Sequence, residues 1–180
     1  MDSLRIRLRS ATAPLHERVD KLFSSFELEH ADGYRRFLAV HALVLGPLER
    51  ALEASGIETL LPDWPQRSRR QALLADLADL GIHTAAPQSP TETFSPGHCW
   101  GTAYVIEGSR LGGRVLARRV SEVQPDAPLR YLGRGSTTPS WAGFVEQLEK
   151  NAPCHPWTDI LAGAETAFER FILAALSQRA

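Results

Sequence analysis

At 180 residues, the chain is long enough to bury a sizeable core and is read as one domain over residues 1–180. Its 43% hydrophobic and 23% charged residues are those of an ordinary globular protein, and a formal net charge of −1 argues against nucleic acid as a partner. No apolar run reaches membrane-span length, and residues 1–18 lack the uninterrupted apolar stretch of a signal peptide. With only Cys99 and Cys154, far apart in sequence, a reducing cytoplasm is the expected location and a monomer the expected state.

The charge is uneven. Arg5, Arg7, Arg9 and Arg18 face only Asp2 and Glu17 in the first eighteen residues, and Arg114, Arg118 and Arg119 form a second basic cluster. Such patches suit an anionic small molecule or an acidic partner, although a solvated helix face is the commoner explanation.

In chain order, residues 3–23 carry Leu4, Leu8, Leu15, Val19, Leu22 and Phe23 at helical spacing, with Asp2 or Ser3 as cap and a kink expected before Pro14. His16 follows the kink, on a face with Thr12 and Ala13. Arg9 lies about 10 Å along the axis from it. A second helix is expected over residues 33–54, capped by Asp32, bent at Gly46-Pro47 and stopped at Ser55-Gly56. A third is expected over residues 66–80, burying Leu73, Leu74, Leu77 and Leu80, with Gly81 as its C-cap. Residues 82–97 read as an ordered surface connection, since Pro87, Pro90 and Pro96 exclude a helix. After a loop over 124–140, with a short turn at 129–132, Ser140 caps a helix to Asn151. A last helix over 157–178 turns Ile160, Leu161, Phe168, Phe171, Ile172 and Leu176 inward. No stretch alternates with period two and none repeats, so the fold is expected to be all-α.

Between these lies a long helix, roughly residues 99–123, with an unusual burden of glycine. Gly108, Gly112 and Gly113 fall within six positions, and Gly101 precedes them on the same face with Tyr104 and Val105 between. Each interior glycine costs a helix about 1 kcal/mol relative to alanine. Close packing against another helix is one explanation. Approach of a flat ligand to a bare backbone is the other.

Most chemistries lack their residues. There is no HExxH, paired CxxC or GxSxG, and the glycine run has neither the strand before it nor the Lys-Ser/Thr ending of a phosphate loop. One constellation remains: His16 on a face of small residues, a helix stripped by glycine, and arginines for carboxylates. Haem fits each requirement, through an imidazole for its iron, a bare helix for its flat ring and cations for its propionates.

The runs LRSATAPLHERVD (8–20) and AYVIEGSRLGGRVLARR (103–119) resemble the proximal and distal helices of haem oxygenases, particularly the bacterial branch. Weaker similarity continues through TTPSWAGFVEQLE and AGAETAFERFILAAL. The resemblance implies a single all-α domain with haem sandwiched between two helices. It implies His16 as the axial iron ligand, and Arg9 and Tyr104 as propionate contacts. Gly108 and Gly112 would let the distal backbone approach the haem, with Gly113 allowing the bend. Ser109 stands where the animal enzymes have an Asp that organises distal water. Haem would be both cofactor and substrate, cleaved to biliverdin with release of carbon monoxide and iron. A separate ferredoxin, flavodoxin or reductase would supply electrons, and a bacterial phytochrome could receive the biliverdin. The rival readings are a haem-binding sensor or trafficking protein without turnover, and a thiamin-degrading relative at fold level, for which no cysteine is well placed.

Overall fold

The structure, a computed structural model, describes residues 3–83, 92–133 and 139–178. Among these residues it is all-α, with nine α-helices and two short 3₁₀ turns.

Helix α1 (Leu4–Phe23) is capped twice. Ser3 Oγ accepts from the Ile6 amide at 3.3 Å, and the Glu149 carboxylate accepts from the Leu4 and Arg5 amides at 2.9 and 2.8 Å. A carboxylate there satisfies two orphan N–H groups and meets the positive end of the helix dipole. The helix runs on through Pro14.

Helix α2 (Ala31–Ala54) starts two residues earlier than expected. His30, not Asp32, is the N-cap, and Asp32 lies in the first turn, where its charge suits the dipole. The expected stop holds: Ser55 is the C-cap and Gly56 takes φ +78°.

A short helix outside the expectation, α3 (Ile57–Leu60), comes next, and the third expected helix, over 66–80, is divided between the end of α4 (Trp64–Arg67) and α5 (Arg70–Asp79). The break at Ser68 has a cause on another element. Glu49 of α2, fully buried, accepts from Ser68 Oγ at 2.6 Å and from the Arg69 and Arg70 amides at 2.8 and 3.0 Å. That carboxylate starts α5 afresh. Leu73 and Leu77 are buried, whereas Leu74 and Leu80 are only half-buried. Leu80 is the C-cap, and Gly81 follows it at φ +71°.

Of the expected connection over 82–97, residues 84–91 lie outside the described residues, and its end is helical. Pro96 is the first residue of α6 (Pro96–Val123), capped by Ser95, whose Oγ accepts from the His98 amide at 3.2 Å. Proline is favoured at that position because its missing N–H would have had no partner. Helix α7 (Arg130–Gly133) is held by buried Asp76, which accepts from the Arg130 and Tyr131 amides at 3.1 and 2.8 Å. Residues 134–138 of the expected loop lie outside the described residues. Helices α8 (Trp141–Asn151, capped by Ser140) and α9 (Trp157–Ser177) follow the expectation. Leu161 is half-buried and Leu176 is exposed, because the last turn of α9 reaches past the core.

Helix α9 is the platform. It buries Ile160, Ala164, Ala167, Phe168, Phe171, Ile172 and Ala175. Each buried Phe or Ile contributes about 1.5–3 kcal/mol of apolar burial. Its most extensive partner is α6, and α1 also packs along it, yet α1 and α6 make little contact with each other. Both helices lie on α9 and meet through it rather than directly.

Candidate functional site

On α1, the His16 side chain is 61% exposed. Its Nδ1 stands 3.0 Å from Asp20 Oδ2, one turn on, and its ring meets Phe168 of α9 edge-on at 5.8 Å. Asp20 holds one ring nitrogen, and Nε2 has no partner among the described residues. Among those residues no three His, Cys, Asp or Glu side chains converge as a metal cage. A lone, oriented imidazole suits a metal whose other ligands come with it.

Arg9, two turns before His16 on α1, is exposed and makes no ion pair among the described residues. Tyr104 of α6 is half-buried and its hydroxyl makes no hydrogen bond among them. Burial raises the Tyr104 phenol above its ordinary pKa, while the charges of Arg5 and Arg9 pull it down. Those two arginines on α1 therefore lie close enough to the α6 phenol for their charges to act on it. Arg5 is an addition that the sequence motifs did not single out.

Four of the five glycines of α6, Gly101, Gly108, Gly112 and Gly113, divide by role. At Gly101 a Cβ would fall 1.8 Å from the Ile160 carbonyl oxygen and 2.7 Å from the Ala164 nitrogen, so this glycine serves the packing of α6 on α9. Gly163 does the same from α9, against the His98 backbone. Gly108 has only the Trp141 ring near it, at 3.8 Å, and Gly112 has nothing within 4 Å. Gly113 is buried beneath Leu132, whose carbonyl oxygen would lie 3.6 Å from its Cβ.

Leu111 and Val115 extend the open part of α6. They are 53% and 63% exposed and lie at helical spacing with Gly108 and Gly112. Large apolar side chains beside bare backbone make a strip that water covers poorly. Sequence reasoning missed both, because a Leu or Val in a helix reads as core.

Ser109 is turned toward its own helix. Its hydroxyl donates to the Ile106 carbonyl at 2.7 Å and accepts from Arg69 Nη2 at 2.7 Å. Behind α6 lies a buried polar cluster with no signature in the motif search. Fully buried Glu107 accepts from Arg67 Nη1 at 2.7 Å and from Arg110 Nε at 2.8 Å, and Arg67 also forks onto Asp63 at 2.8 Å through two nitrogens. Arg110 closes the cluster by donating to the Arg67 carbonyl.

His41 of α2 was expected only as part of an apolar stripe. It sits half-buried among Phe23, Phe37, Tyr131 and Phe171, and its Nδ1 donates to the Phe37 carbonyl at 2.8 Å. Burial, aided by the charge of Arg69, lowers its pKa to about 4 against the opposing Phe37 hydrogen bond, so the ring is neutral. Thiol chemistry has no support in the core, since burial pushes Cys99 up to about 11. Two concavities elsewhere, one at Leu60, Trp100 and Lys150 and one at Ala75, Leu129 and Gly133, include none of Arg9, His16, Tyr104, Gly108 and Gly112.

An exposed, oriented imidazole on α1 and a bare apolar strip on α6, two helices that meet through α9, are features that a flat, metal-bearing ligand with acidic groups would use. A haem oxygenase of Xanthomonas campestris is 34% identical over 145 residues, covering 78% of this chain and 87% of that protein. Haem oxygenase PigA of Pseudomonas aeruginosa is 32% identical over 174 residues, covering 92% and 87%. A haem oxygenase structure from Neisseria meningitidis, solved with NO and CO bound, superposes with a TM-score of 0.80 at 24% identity, over 98% of this chain and 92% of that one. Haem oxygenase 2 from Chlamydomonas reinhardtii, solved without haem, gives 0.72 at 16% identity over 97% of each chain. No family model matches the sequence. The chain belongs to the haem oxygenase family.

Proposed function

We propose that the protein takes haem into a cleft between α1 and α6 and cleaves it oxidatively to biliverdin, with release of carbon monoxide and ferrous iron. Bound haem supplies the redox-active iron and is itself the ring that is opened. The observation that carries this reading is the open strip of Gly108, Leu111, Gly112 and Val115 on a helix flanking an exposed, oriented His16. The folded chain has no packing use for bare backbone at Gly112.

In this reading His16 binds iron through Nε2. Asp20, hydrogen-bonded at Nδ1, fixes the tautomer and makes the ring a stronger donor. Arg9 and Tyr104 receive the propionates, with Arg5 adding charge at the same end. Gly108 and Gly112 let the α6 backbone lie against the ring face and exclude bulk water from it. Gly113, under Leu132, lets the helix bend toward the ring. Ser109 contributes a lone pair rather than a proton, since its proton is given to Ile106. The three glycines and Ser109 form the catalytic wall, and His16, Arg9 and Tyr104 the binding groups.

Haem oxygenases need an external electron donor, and for this protein a ferredoxin, a flavodoxin or a reductase is proposed. The exposed basic end of α6, at Arg118 and Arg119, is suited to an acidic donor, although Arg119 already pairs with Glu29. A bacterial phytochrome is proposed as biliverdin acceptor and the bacterial cytoplasm as the location. No helix among the described residues is long and apolar enough to cross a membrane.

The test is to add ferric haem to the purified protein, record the visible spectrum and then supply ascorbate in air. A histidine-ligated Soret band should form, then decay as biliverdin absorption rises, and His16→Ala should lose the ligated band. A stable band without bilin would leave a haem carrier, and no band would refute the reading altogether.

A further inference from the structure

Three arginines near the start of α5 are buried or half-buried, and two have carboxylates. Arg67 pairs with Asp63 and Glu107, and Arg70 pairs with Glu53 and Glu49. Arg69 is 2% exposed and has no carboxylate within ion-pair distance among the described residues. Its Nη2 donates to the Ile106 carbonyl and to Ser109 Oγ, both at 2.7 Å, and its guanidinium carbon lies 5.0 Å from the Tyr131 ring centre. Its Nε has no acceptor among the described residues. A buried charge without a counter-charge is costly, and a neutral donor could make the same two hydrogen bonds. The charge itself therefore needs a use.

Its placement suggests one. Ile106 points away from the strip of Gly108 and Gly112, on the opposite side of α6, and Ser109 lies on the flank between. Arg69 thus stands behind the helix wall that faces the cleft, one helix diameter or about 10 Å from whatever lies on the strip. Arg67 and Arg110 share Glu107 and Asp63, Arg70 takes Glu53, and Glu49 sits 2.8 Å from the Arg69 backbone amide, so no carboxylate meets the Arg69 guanidinium itself. That field already reaches across the interior, since it contributes to the low pKa of His41.

We propose that Arg69 is a positioning residue for the cleft, whose unpaired buried charge, set behind the Ile106–Ser109 turn, favours negative charge on a ligand held over Gly108 and Gly112. It acts through the low-dielectric helix wall and touches no substrate. A unit charge at about 10 Å across a partly buried path changes an anion's affinity roughly tenfold. The proposal rests on the cleft being the haem site.

The test uses ferric haem complexes of the wild type, Arg69→Gln and Arg69→Lys, with azide as the anionic probe. Gln keeps a donor for Ile106 without the charge, and Lys keeps the charge. Azide should bind Arg69→Gln roughly tenfold more weakly than wild type, with Arg69→Lys within about threefold of wild type. In the haem-free proteins, NMR titration should show the His41 pKa higher in Arg69→Gln than in Arg69→Lys. Arg69→Met serves as the neutral variant if Arg69→Gln fails to fold. Equal azide affinity in wild type and the neutral variant would overturn the proposal. So would equal losses with Gln and Lys, which would reduce Arg69 to a structural clamp. If the wild type takes up no haem, the cleft assignment falls first and this proposal falls with it.

Discussion

Gly101 and Gly112 lie on one helix and answer to different requirements. Alanine at 101 would drive a methyl into the backbone of α9, which neither side can relieve by a rotamer change. Gly101→Ala should therefore lose about 3 kcal/mol or more of stability, read as a shift of the urea midpoint. Alanine at 112 meets open space and gains helix propensity of about 1 kcal/mol. Gly112→Ala should melt at the same temperature or higher without haem, yet form bilin roughly tenfold to a hundredfold more slowly because the ring is displaced. A fall in haem-free stability at Gly112 would make it a packing glycine like Gly101. The sequence could not separate the two, since both share one helical face and only the position of α9 distinguishes them.

At the scale of elements, the helices with their own punctuation were legible. Ser140 before α8, Gly56 after α2 and Pro156 before α9 act locally, and local chemistry is what a sequence displays. The break between α4 and α5 was not, because the residue that interrupts the expected helix at Ser68 is Glu49, on α2. Glu49→Gln leaves only one carbonyl oxygen for three donors and faces an N–H₂ toward amides. It should cost about 1–3 kcal/mol and speed hydrogen exchange at the Arg69 and Arg70 amides first. Uniform loss of protection across the chain would mean that Glu49 supports the whole core instead. In the site, His16, Arg9, Tyr104 and the glycine run were visible as motifs. Arg69, His41 and the Glu107 cluster were hidden, because a buried charge and an exposed one look alike in a sequence.

For the molecule as a whole, one histidine packed among aromatic rings makes stability depend on acidity. His41 has a pKa of about 4 in the folded protein against an ordinary 6.5, because burial disfavours its charged form. The unfolded chain therefore takes up the proton first, and this contribution to stability is complete above about pH 6.5 and declines as pH falls toward 4. His41→Gln should remove that decline: the difference between its urea midpoints at about pH 7 and about pH 4.5 should be smaller than for the wild type. An unchanged difference would assign the acid sensitivity to carboxylates. No motif announces this behaviour, which follows from four aromatic rings gathered from α1, α2, α7 and α9 around one imidazole.

The Glu149 carboxylate that receives the first amides of α1 has a consequence in time. Helix α1 leaves the ribosome before the helices that hold it, since its cap lies 145 residues later and its bed, α9, comes later still. At ordinary rates of synthesis, that separation is on the order of ten seconds. Until then His16 is carried on an unanchored segment, so the nascent chain cannot hold that imidazole in its native place before α8 and α9 have been made.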